Sequence, residues 1–161
     1  VVSDLFSYKF RKGSIMGGLN QSAEKTSVTG DFTRRNLLEE TKDAWNQVTG
    51  AVGDMYGNYY DMKIDNTEKA DDYFHCKANF EAAQRGKWGE KTAEYLGDAK
   101  ERTDYFKNRI YRGLSAQESY VDYLHDKDVN AQGRFQAKTG LYKNSRDGCN
   151  YLRVNGINER Y

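Results

Sequence analysis

The stretch Trp45-Asn46-Gln47-Val48-Thr49-Gly50-Ala51-Val52-Gly53-Asp54-Met55-Tyr56-Gly57-Asn58-Tyr59-Tyr60-Asp61-Met62 decides the fold class. Its apolar residues Trp45, Val48, Val52, Met55, Tyr59 and Met62 recur at steps of 3, 4, 3, 4 and 3, which places them on one stripe of a helix. Leu38 extends the pattern backwards, Asp31 or Thr33 supplies a capping side chain, and the pattern stops near Lys63–Asn66. Gly50, Gly53 and Gly57 lie inside this helix, where each costs about 0.8–1 kcal/mol relative to Ala. That cost is understandable if a second backbone or a ligand approaches closely there; otherwise the helix is locally weak.

Downstream, Ala70, Tyr73, Phe74, Lys77, Phe80 and Ala83 keep helical spacing, which predicts a second helix from Asn66 or Thr67 to Arg85 with Gly86 just past its end. A third begins near Gly89–Glu90, carries Leu96, Phe106 and Ile110, and ends at Gly113. Ser115-Ala116-Gln117-Glu118 is a capping-box pattern that starts a fourth, with an interruption expected near Gly133. Beyond Gly140 the periodicity dissolves into a tail. The absence of proline lets long helices run unbroken, and 30% charged residues leave material for only a thin core. The fold class is therefore all-α, a four-helix bundle with boundaries expected at 1–32 for an N-terminal arm, 33–140 for the bundle and 141–161 for the tail. Each apolar stripe is read first as ordinary bundle packing.

The arm differs in composition. Phe6, Tyr8 and Phe10 alternate with Ser7 and Lys9, which puts three aromatics on one face of an extended strand, with Leu5 beside them. Gly13, Gly17, Gly18 and Gly30 follow among Ser, Asn and Thr, a loop-like mixture. Asn20-Gln21-Ser22 is a glycosylation sequon in this stretch. The arm reads either as disordered or as a strand that pairs with a neighbouring protomer. The chain starts Val1-Val2 rather than with Met, which reads as a processed or trimmed product.

Charge and motif content narrow the function. With 25 basic and 24 acidic side chains interspersed, no basic footprint for nucleic acid is present. No run approaches the ~20 apolar residues of a transmembrane helix. P-loop, GxGxxG, GxSxG and HExxH patterns are missing, and His75 and His125, the only histidines, are too few and too isolated for a metal cluster or a proton relay. Asp71-Asp72 and Asp126/Asp128 read as solvated or helix-start charges. The expectation is a protein that is not an enzyme, with no cofactor and no metal. Cys76 and Cys149 are too far apart for a CxxC motif and are either two buried thiols or one long-range disulfide.

A longer block carries a resemblance. Asp54-Met55-Tyr56, Tyr60-Asp61-Met62, and above all Asp72-Tyr73-Phe74-His75-Cys76-Lys77-Ala78-Asn79-Phe80-Glu81-Ala82-Ala83-Gln84-Arg85-Gly86 resemble the serum amyloid A family. The match continues through Trp88-Gly89, Ala93-Glu94 and Asp98-Ala99-Lys100-Glu101, and resumes at Tyr142 to Arg146, Asn150, Arg153, Gly156 and Glu159-Arg160-Tyr161. The resemblance covers roughly 39–108 and 131–161. It implies a small four-helix bundle with the C-terminal tail packed across the helices. It also implies a secreted protein that forms small oligomers, binds lipid, lipoprotein particles and retinol through apolar helix faces, and can convert to amyloid.

Departures from the family qualify this. Residues 1–38 have no counterpart and 109–130 look like an insertion. Lys87, Cys149, Val154 and Asn158 stand where members usually carry proline. Cys76 and Cys149 stand where the family normally has no cysteine; with one on the second helix and one in the tail that crosses the bundle, the resemblance favours a Cys76–Cys149 disulfide. Two functions follow. In the first, Trp45, Val48, Val52, Met55, Tyr59 and Met62, joined by Leu96, Phe106 and Ile110, form a face for lipid or a retinoid-like ligand, with Gly50, Gly53 and Gly57 letting it lie close to the backbone. In the second, the arm (Leu5, Phe6, Tyr8, Phe10) joins copies of the chain into an oligomer or an extracellular filament, and the 13 tyrosines serve protein contacts.

Overall fold

Helix α1 runs over Ala23–Asp65, 43 residues without a break, in the computed structural model. The structure describes the backbone of residues 23–161 and the side chains of residues 33–161. Leu5, Phe6, Tyr8, Phe10 and Asn20 therefore lie outside the described residues. The helix starts at Ala23 rather than at the expected Asp31 or Thr33 cap, so residues 23–32, read as part of an extended arm, are helical. Once a downstream helix is nucleated, each added residue gains a hydrogen bond, and this outweighs the Ser, Thr and Gly composition. Leu38–Tyr161 forms a compact unit of its own.

In that unit α1 is followed by α2 (Asp71–Gln84), α3 (Lys87–Ile110), α4 (Ala116–Thr139) and a single turn α5 (Ser145–Gly148), with a 3₁₀ turn at Asn150–Leu152. All described residues are helix, turn or irregular, and no strand occurs among them. The α1–α2 turn reverses through Asn66 and Lys69, both at positive φ (51° and 63°), which is why α2 starts four to five residues later than its spacing suggested. Gly86, at φ 116°, makes the sharp α2–α3 corner that another residue would resist. Ser115 caps α4 as the sequence indicated: its hydroxyl accepts from Glu118 N–H, and Glu118 accepts from Ser115 N–H.

The expected interruption at Gly133 does not occur; α4 is continuous to Thr139. A Cβ at Gly133 would stand 2.4 Å from the Cys76 carbonyl oxygen, so this glycine is where α4 presses against the α2 backbone. Gly89 does the same for α3, since a Cβ there would stand 2.2 Å from the Ala82 carbonyl. Helix α2 is thus the central element, packed against α3, α4 and α5.

The tail completes the core. Tyr73, Phe74 and Phe80 of α2 are fully buried with Val129 of α4 and with Cys149, Ile157 and Tyr161 of the tail. Tyr161 meets Phe74 edge-on at 5.3 Å between ring centroids. Arg153 fastens the end of the chain by donating to the carbonyls of Tyr161 (2.7 Å) and of Ile157 and Asn158 (both 3.0 Å) while lying over the Tyr73 ring. Cys76 and Cys149 form a disulfide with Cα atoms 5.9 Å apart, and both are fully buried. Of the two states the sequence left open, the cross-linked one is present.

Candidate functional site

Helix α1 carries the apolar stripe, and part of it is buried: Met55 and Met62 pack against the core, and Val48 and Val52 are half-buried. The buried positions are Ala51 and Asn58, with Met55 and Met62 at the margin and Trp45 and Tyr59 exposed. The reason lies in α2, which meets α1 through charge. Arg85 grips Asp54 with two hydrogen bonds, from Nη2 to Oδ1 (2.7 Å) and from Nε to Oδ2. Asn58 donates to Glu81 (2.6 Å) and accepts from Lys77 (2.8 Å). Small and polar residues of α1 therefore face inward and the larger apolar ones flank them.

That offset opens a groove of about 720 Å³ between α1, the α1–α2 turn and α3. Met55, Tyr59 and Met62 of α1 and Leu96 of α3 give it apolar walls. Lys63, Lys69, Lys100, Lys107 and Arg112 supply cations around it, opposed by Asp71, Asp104, Asp122 and Asp126. Some of these charges are already engaged: Lys100 bonds Asp104 at 2.9 Å, and Asp104 also takes Lys107 at 3.0 Å. Beneath lies a smaller cavity of about 40 Å³, bounded by Met55, Tyr59, Met62, His75, Glu101 and Asn130 among others.

Of the nine residues expected on a ligand face, the structure thus brings Met55, Tyr59, Met62 and Leu96 to one groove. Val48 and Val52 are half-buried on α1 and do not line it. Trp45 is exposed on α1, and Phe106 and Ile110 are exposed on α3, outside the lining. The three helix glycines differ. At Gly50 a Cβ would collide with the Arg85 guanidinium at 2.2 Å, so the close neighbour is a protein side chain. Among the described residues nothing stands within 4 Å of a Cβ at Gly53 or Gly57.

A polar network under the groove escaped the sequence reading. Asn79 donates to Asn130 at 2.6 Å, Asn130 donates to Glu101 at 3.1 Å, and Arg134 donates to Asn79 at 2.7 Å. Glu101 is 1% exposed. The only sequence signal was Asn79 and Asn130 in mid-helix positions away from any cap, where Asn is otherwise disfavoured. The two histidines are not isolated. His125 holds the Asp72 carboxylate at 3.0 Å, which raises its pKa, and His75 points its Nδ1 at Glu101 Oε1 across 3.6 Å. Burial, with the Lys100 charge behind it, lowers the His75 pKa and keeps the ring neutral. Asp126, read from sequence as a solvated charge, is half-buried beside Glu101. Desolvation first, and then the Glu101 carboxylate, pushes it up to about 8.

Sequence comparison then bears on the whole assembly. The sequence model of the family described as Serum amyloid A protein matches residues 41–161. The chain belongs to the serum amyloid A family. Serum amyloid A protein of Notamacropus eugenii is 35% identical over 106 residues, 66% of this chain and 77% of the relative. Serum amyloid A protein of Bos taurus is 32% identical over 108 residues, 67% of this chain and 75% of the relative. Serum amyloid A-1 protein of Mus musculus is 33% identical over 110 residues, 68% and 75% respectively. The family match takes in α2, α3, α4, the tail and the groove-lining part of α1. Among the described residues of this family member, no helix is long and apolar enough to cross a membrane.

Proposed function

We propose that this serum amyloid A family member is a secreted, non-enzymatic carrier that holds a lipid or retinoid-like apolar ligand in the groove between α1 and α3. The observation that carries the reading is the convergence of Met55, Tyr59, Met62 and Leu96 on an opening of about 720 Å³, within the size range of small-molecule sites. Apolar contact with those four residues supplies affinity in proportion to buried area. The cations around the opening, Lys63, Lys69 and Arg112 among them, suit a polar or anionic head left at the surface. Exposed Trp45, Phe106 and Ile110 extend apolar surface beyond the groove and suit contact with a lipid particle. The buried disulfide suits an oxidising, extracellular setting.

The test is retinol fluorescence enhancement together with vesicle flotation, on the native chain and on a Tyr59→Asp/Leu96→Asp double variant whose helicity is checked by circular dichroism. Both signals are expected from the native chain, with retinol affinity reduced at least tenfold in the folded double variant. Neither signal from the native chain overturns the reading.

Self-association is a second reading, favoured by the exposed tyrosines Tyr56, Tyr60, Tyr95, Tyr111, Tyr120 and Tyr151. Tyrosine combines apolar area with a hydroxyl and suits wet interfaces between protein chains. Assembly into an oligomer or filament through the N-terminal arm predicts that removing residues 1–22 lowers the mass seen by light scattering. An unchanged mass removes the arm from that role.

A further inference from the structure

Three donor atoms from three helices meet beneath the groove. His75 of α2, Glu101 of α3 and Asp126 of α4 each offer one ligand atom, and all three lie within 4.8 Å of one another. The His75 side chain is only 10% exposed, and among the described residues no hydrogen bond reaches either of its ring nitrogens; Nδ1 faces Glu101 Oε1 at 3.6 Å, beyond hydrogen-bond range. A buried imidazole normally finds a partner. Here its nearest polar neighbour is the Glu101 carboxylate, with Asp126 in the same cluster.

We propose that His75, Glu101 and Asp126 form a binding site for a divalent transition-metal ion of the Zn²⁺ type. One imidazole nitrogen and two carboxylate oxygens are a donor set that borderline cations accept and that Ca²⁺ and Mg²⁺, which prefer all-oxygen shells, do not favour. Ligand bonds of about 2.0–2.2 Å set donors roughly 3.3 Å apart around a tetrahedral ion, so a modest rotation of the side chains closes the site. The cavity of about 40 Å³, which His75 and Glu101 help to line, leaves room for a water in a fourth position.

The surroundings match what a ligand set needs. Asn130 donates to Glu101 at 3.1 Å and orients it. Lys100 approaches Glu101 at 3.3 Å, its ammonium is also held by Asp104 at 2.9 Å, and its charge acts on His75 as well. Asp122 is the remaining acidic neighbour along α4. His75 and Asp126 both line the groove, which gives the ion a path from solvent. The site stands independently of whether the groove holds a lipid.

The experiment is a Zn²⁺ titration of the native full chain, followed by calorimetry and by imidazole nitrogen NMR. The chain has two histidines, so the spectrum itself reports which ring is bound, without any variant. One Zn²⁺ per chain, a shifted His75 resonance, an unmoved His125 resonance, and at least tenfold weaker binding in Glu101→Gln and Asp126→Asn are expected. Those two variants keep side-chain shape, and their melting in metal-free buffer checks the fold. The proposal is overturned by no saturable uptake, or by a shift confined to His125, which would place the ion on the surface pair with Asp72. Unchanged affinity in both carboxamide variants would overturn it as well.

Discussion

Among the described residues, the glycines inside helices differ in what surrounds them. Gly53 and Gly57 sit in α1 with open space where a Cβ would go, so they carry the intrinsic helix penalty with nothing in the described structure to offset it. Replacing either by alanine is expected to raise stability by about 0.8–1 kcal/mol, measured as a higher urea midpoint with an unchanged slope. Gly133 is the opposite case, pressed against the Cys76 carbonyl, and Gly133→Ala is expected to destabilise by about 1–3 kcal/mol through forced separation of α4 from α2. Gly50 is intermediate, since its neighbour is the end of a flexible arginine. None of this was visible from composition: all these glycines sit inside helices in the sequence, and only the crossing partner distinguishes them.

At the scale of elements, the helices were legible and their orientation was not. Spacing placed α1 through α4 and the Ser115 cap, because apolar period and capping chemistry are local properties. The polar contacts that fix how α1 meets α2 are long-range, since α2 engages Asp54 and Asn58 through Arg85, Lys77 and Glu81. The same limit hid the polar network: His75, Glu101 and Asp126 belong to three helices, and only the packing joins them. Four of the nine residues expected on a ligand face reach the groove: it takes α1 only from Met55 onward, so Trp45, Val48 and Val52 lie before it along the helix, and Phe106 and Ile110 are exposed on α3 outside it.

Glu81 shows how one such group links elements. It accepts from Asn58 of α1 and Lys77 of α2, and from Ser145 of α5 at 2.6 Å. Burial alone would raise its pKa; the hydrogen bonds from Ser145, Lys77 and Asn58 outweigh that and hold it below the ordinary value of 4.5. The folded chain then binds fewer protons here than the unfolded chain. Its contribution is fully present above pH 4.5 and is lost as pH falls through the lowered folded value. The stability gap between the native chain and Glu81→Gln is therefore expected to shrink on acidification, followed by thermal melts from neutral to acidic pH. A gap that stays constant removes Glu81 from this role.

At the scale of the molecule, the Cys76–Cys149 bond closes a covalent ring around α3 and α4, with 73 residues separating its ends. In the chain-entropy description a ring of that size contributes about 4 kcal/mol, so reduction is expected to loosen the tail that completes the core. The ring has a second consequence, for cleavage. The α3–α4 connection exposes Arg112 and Gly113, an accessible point for trypsin inside the ring. A cut after Arg112 is expected to add one water to the mass and leave a single species on a non-reducing gel, parting into two chains only when a thiol is added. A severed chain of this kind keeps its carboxyl-terminal piece as a passenger, so backbone scission there and release of a fragment become separate events, the second governed by the redox state of the surroundings.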